Sequence, residues 1–142
     1  MEVTKRMGFE FFGLTMEAFL TNSGKFILPL YEMCGILGLP TNVQVKHIKR
    51  DPALSDGLFY VHTMAESPAG SLRTRRIACL WVNCLPYWLG SIPAGALKPE
   101  LREKISAVKR DLVEITWAYY GNHILPADVL RKISIETFSS KS

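Results

Sequence analysis

At 142 residues, 48% of them apolar, the chain can bury the core of one domain without metals or disulfide staples, and it is too hydrophobic for disorder. Its net charge of +4 is mild, so it permits an acidic or nucleic-acid partner without demanding one. No run of eighteen apolar residues marks a membrane span, and Met1–Arg6 leads into strand-like sequence, not a signal-peptide core, which points to a cytoplasmic protein.

In chain order, Phe9 to Leu20 is rich in aromatic and branched residues, Asn22-Ser-Gly24 interrupts it, and Lys25–Leu28 follows. That pattern reads as a β-hairpin. Pro29 suits a helix start, where its missing N–H costs nothing. Leu30, Met33, Cys34 and Leu37 recur at helical spacing, and Gly38 offers a left-handed end. After the Leu39-Pro40 turn, Thr41 or Asn42 is placed to cap a second helix through Arg50. Asp51-Pro52 stops it, because the residue before proline leaves the α region.

Leu58–Met64 reads as a strand, Ser67–Gly70 as a turn, and Arg73–Leu80 as the returning strand. Asn83–Leu89 is an aromatic segment of one or two helical turns; Trp81, just before it, and Tyr87 and Trp88 within it suit core or hinge packing. From Pro99, Leu101, Ile105, Val108, Leu112, Ile115 and Tyr119 step by four and three, a core-facing stripe on a helix of about six turns that Gly121 ends. A shorter helix over 126–135 closes the chain. Strands and helices mix without βαβ alternation, so the expected class is α+β: antiparallel hairpins, a short helix pair and one long C-terminal helix, in a single domain over 1–142.

Three groups of residues are candidates for function. Two short helices around a Gly turn have the outline of a helix-turn-helix. The second presents Asn42, Gln44, Lys46, Lys49 and Arg50, side chains suited to base edges and phosphates, although such charges also suit a solvated face. Arg73, Arg75 and Arg76 on the returning strand could enter a DNA groove, grip a carboxylate, or guard a sheet edge. Val113, Trp117 and Tyr120 lie off the main stripe of the long helix, and a second apolar face there suits a subunit contact in a homo-oligomer.

The catalytic inventory is thin. Cys34, Cys79 and Cys84 are an odd count, read as reduced thiols, and no second Cys or His pair completes a zinc site with Cys79 and Cys84. His47, His62 and His123 are scattered, and no phosphate loop or nucleophile elbow is present. No metal or cofactor is expected. An enzyme would need a Cys–His site assembled by folding.

Four stretches together carry a resemblance to the phage antirepressor N-terminal domain, a relative of the BRO-type N-terminal domains. They are Phe11-Phe-Gly13; Pro29–Leu39 with its Leu-Gly-Leu ending; Gln44–Ser55; and Ala78–Leu80 with Leu85–Leu89, Lys98–Lys104 and Trp117–Tyr120. The likeness spans about 9–120, leaving 121–142 as a C-terminal helical extension. Pro40-Thr-Asn42 and Gly90–Gly95 depart from the family pattern. The resemblance implies a non-enzymatic module, of phage or prophage origin and working in the bacterial cytoplasm, that relieves repression by binding a repressor protein. The BRO-type relatives imply DNA binding as the alternative.

Overall fold

The computed structural model describes residues 2–66 and 68–124, and its architecture is α+β. Strands β1 (Val3–Phe11), β2 (Leu14–Thr21), β3 (Phe26–Pro29), β4 (Leu58–Glu66) and β5 (Leu72–Trp81) form one antiparallel sheet in the order β1-β2-β3-β5-β4. Helices α1 (Leu30–Leu37), α2 (Thr41–Arg50), α3 (Pro52–Ser55), α4 (Leu85–Ser91) and α5 (Pro99–Ile124) complete the described residues, with 3-10 turns at Val82–Cys84 and Ala94–Ala96. The helix expected over 126–135 lies outside them.

The run from Phe9 to Leu20 is not one strand. It folds back at Phe12 (φ 49°) and Gly13 (φ 81°), so Phe11 pairs with Leu14. Positive φ at both central residues makes the mirror-image turn that matches strand twist. Phenylalanine is a poor residue for the first of these positions. Its ring packs edge-on against Phe11, 4.7 Å between centroids, and against the main core, and this packing offsets the backbone cost.

Pro29 ends β3 opposite Cys79, and α1 begins at the next residue. Leu30, Met33, Cys34 and Leu37 are all fully buried, as their spacing predicts. Gly38 closes α1 at φ 81°; its N–H and that of Leu39 both donate to the Cys34 carbonyl at 2.8 Å. The capping expectation fails: Pro40, extended, holds the N-cap position of α2, Thr41 is already helical, and no side chain caps this end. Asp51 does more than stop α2. Its carboxylate caps the one-turn α3, accepting from the Ala53 N–H at 2.9 Å, with Pro52 at the first position.

Alternation along the strands sorts the core onto two sides. Leu28, Leu80, Met16 and Ala18 join the helical residues Ile48, Leu54, Trp88, Leu89, Leu101 and Ile105. Phe19, Ile27, Val61, Ile77 and Cys79 form a smaller core on the other side. Val3 packs there too, so the sheet curls until edge strands β1 and β4 share one cluster.

The stripe on α5 is core only in its first half. Leu101 and Ile105 are buried and Val108 and Leu112 half-buried, but Ile115 and Tyr119 are 65% and 70% exposed. From Val113 to Tyr120 every residue of the helix is exposed. Gly121 does not end the helix either, which continues to Ile124. The Trp117 ring lies over Gly121, where an added Cβ would come within 3.2 Å of it. The glycine here makes room for an indole.

Candidate functional site

Two of the candidate groups meet. Because β3 ends at Pro29, the sheet forks: β2 and β5 diverge, and α1 starts in the gap. On the β2 side, the Glu17 N–H donates to Glu32 of α1 at 2.9 Å. On the β5 side lies a cleft of about 540 Å³ between α2 and the strand. Thr41, Asn42, Val45, Lys46 and Lys49 form its helical wall, and Tyr31 and Tyr60 stand with Arg75 and Arg76 around a floor of Ile77 and Ala78.

The rings set the cations. The Arg76 guanidinium lies 3.7 Å from the Tyr60 ring centre, with the Lys49 ammonium 5.7 Å from the same ring. Arg75 lies 5.4 Å from the centre of Tyr31. A guanidinium stacked on a ring keeps its N–H edges free for a carboxylate or phosphate. Burial, then the charge of Glu32, raises the Tyr31 hydroxyl above its ordinary pKa, so it stays protonated and donates to Glu32 at 3.2 Å. Among the described residues, four cations and no carboxylate line the cleft.

The other candidates lie elsewhere. Gln44 sits on the flank of α2 that faces α4, its carbonyl accepting from the Trp88 indole N–H at 3.0 Å; it is engaged in packing. His47 on the same flank bonds Ser91 at 3.1 Å, not a thiol. Arg50 and Arg73 are exposed and do not line the cleft. Trp88 is fully buried, as expected, whereas Tyr87 is half-exposed and donates to Asp51 at 3.0 Å. Tyr31 and Tyr60 were not legible as site residues, because only strand register and the α1 start bring them to the arginines.

A second surface lies on α5. Val113 is 70% exposed, Trp117 45% and Tyr120 49%, beside Ile115 and Tyr119. Tyr87, Gly90 and Leu112 join Val113 and Trp117 in a groove of about 720 Å³ between α4 and α5.

A family model matches residues 9–124. The chain belongs to the P22_AR N-terminal domain family. The P22_AR N-terminal domain is the phage antirepressor type that the sequence resembles. The match takes in the whole cleft and α5 to its last described residue, and it reaches four residues beyond the expected limit of 120. No curated protein and no solved structure shows a significant match to this P22_AR N-terminal domain. No helix among its described residues is long and apolar enough to cross a membrane.

The thiols of this domain are held protonated. Burial pushes Cys34 up to about 11, outweighing a hydrogen bond with Thr41, and Cys79 up to about 12. Two consequences are expected. At pH 8 iodoacetamide labels Cys34 and Cys79 only on unfolding, and rapid labelling of either in the native protein would contradict their burial. Above about pH 9 the unfolded thiols ionise while the folded ones keep their protons, so stability falls as pH rises. Urea midpoints measured from pH 8 to 10.5, compared with a Cys34→Ala, Cys79→Ala variant, test the second.

Proposed function

We propose that this domain is an antirepressor-type regulatory module that docks on a repressor protein and blocks its binding to the operator, releasing the silenced genes. The observation that supports this best is the cleft, in which Lys46, Lys49, Arg75 and Arg76 converge around Tyr31 and Tyr60. Family membership supplies the regulatory role. Ring-supported cations in a recess suit carboxylates on a protruding protein segment; duplex DNA offers its phosphates on a convex surface. Calorimetric titration against the cognate repressor should give micromolar or tighter binding. No binding to that repressor at micromolar concentration ends the reading.

Duplex DNA competes for the same cations. If it is the ligand, about four phosphate contacts make log K fall with log salt at a slope near −3.6. Salt-dependent duplex binding without repressor binding would transfer the function to DNA.

Self-association is assigned to α5. From Ile115 to Ile124 the helix carries no Asp, Glu, Lys or Arg, so no charge selects a different partner, and an apolar patch is readily self-complementary across a twofold axis. Sedimentation equilibrium is expected to show a dimer that Val113→Glu with Trp117→Glu converts to monomer. A wild-type monomer at 100 μM, on the order of ten times a ~10 μM dimer constant of about −7 kcal/mol, would remove this contact.

A further inference from the structure

We propose that the cleft accepts an acidic, extended segment of the partner protein, which adds to the free side of β5 as a sixth strand. The inference rests on the protein-docking reading and goes further, naming the conformation and chemistry of what docks. β3 pairs with β5 only from Ile27 opposite Trp81 to Pro29 opposite Cys79. From Leu72 to Ala78, β5 is paired with β4 alone among the described strands. That edge is seven residues, about 23 Å at 3.3 Å per residue, and Leu72 to Arg76 are all exposed.

The fork is asymmetric. Glu32 closes the β2 side by accepting from the Glu17 N–H, while the β5 side opens onto the cleft. An open edge is a template for an incoming strand: backbone hydrogen bonds supply affinity and alternate side chains supply specificity. Cations on an edge often serve only to repel other strands. Here Arg75 is drawn onto Tyr31 of α1, on the open side, and Arg76 onto Tyr60 of β4, across β5 from the open edge, and both line the recess. With Lys46 and Lys49 on the opposite wall, the recess that alternate carboxylates of an incoming strand would reach across β5 is cationic on both sides. A duplex has no peptide groups to pair with β5.

The test uses the full chain and three labelled probes, followed by fluorescence anisotropy at 50 and 300 mM salt. The first is an eight-residue peptide alternating Glu with Val or Thr, blocked at both ends. The second has the same four Glu but Pro at every alternate position, which keeps the charge and removes strand-forming N–H groups. The third is a twelve-base-pair duplex. The first peptide is expected to bind at least tenfold more tightly than the second and to slow amide exchange across Leu72–Ala78. Lys49→Ala with Arg76→Ala should weaken both peptides.

Equal binding of the two peptides, lost in the double variant, would overturn strand addition and leave protein docking at the cleft intact. Duplex binding with neither peptide bound would overturn both. If no probe binds at millimolar concentration, strand addition falls, and the repressor titration decides the docking reading separately.

Discussion

Replacing Trp88 by alanine is expected to cost about 3–5 kcal/mol, the range for removing a large aromatic ring from a core. Trp88 is wholly buried in the main cluster with Leu89, Ile48 and Ile105, and its indole N–H bonds the Gln44 carbonyl of α2 at 3.0 Å. The ring therefore joins α4 to the helix that forms one wall of the cleft. A domain of this size holds only about 5–15 kcal/mol in total, so the variant should sit near its unfolding threshold. Trp88→Phe keeps most of the apolar volume but leaves Gln44 without its indole donor, and a smaller loss of about 1–3 kcal/mol is expected. Urea denaturation followed by far-ultraviolet circular dichroism checks both. An alanine variant less than about 1 kcal/mol weaker would mean that α2 and α4 are held by something other than this ring.

The largest effect on binding is expected from Lys49→Ala combined with Arg76→Ala. Both cations face the Tyr60 ring, one from α2 and one from β5. A hydrogen bond to a charged group contributes about 1.5–3 kcal/mol, and every 1.4 kcal/mol is tenfold in affinity. Loss of two such bonds should weaken the partner complex about a hundredfold or more. Both side chains are exposed, so the fold should lose little beyond two cation–π contacts of about 0.5–1 kcal/mol each. Arg50→Ala with Arg73→Ala removes the same charge from outside the cleft and should change affinity less than about threefold. Arg76→Lys retains the charge but loses the guanidinium over the Tyr60 ring, and should fall between these. Equal losses in the two double variants, read by calorimetry at fixed salt, would show diffuse attraction in place of a built site.

Much of the local structure was legible because it depends on short-range chemistry. The spacing of Leu30, Met33, Cys34 and Leu37 placed α1, the αL freedom of Gly38 placed its end, and Pro99 placed the start of α5. The turn at Phe12-Gly13 was not legible, since phenylalanine there opposes local preference and tertiary packing on Phe11 and the main core offsets it. The same limit explains Gly121: a glycine beyond a helical stripe reads as a stop, until Trp117 is seen to lie over it.

The sequence by itself determined the family, the α+β class and which segments carry the cations, because periodicity, turn residues and motif order are written along the chain. Only the tertiary structure decided which of those cations act together. Strand register and the fork left where β3 gives way to α1 bring Lys46 and Lys49 opposite Arg75 and Arg76, send Gln44 toward Trp88, and leave Arg50 and Arg73 apart. Such juxtapositions depend on long-range closure of the chain, and no local preference encodes which residues will face each other across a cleft.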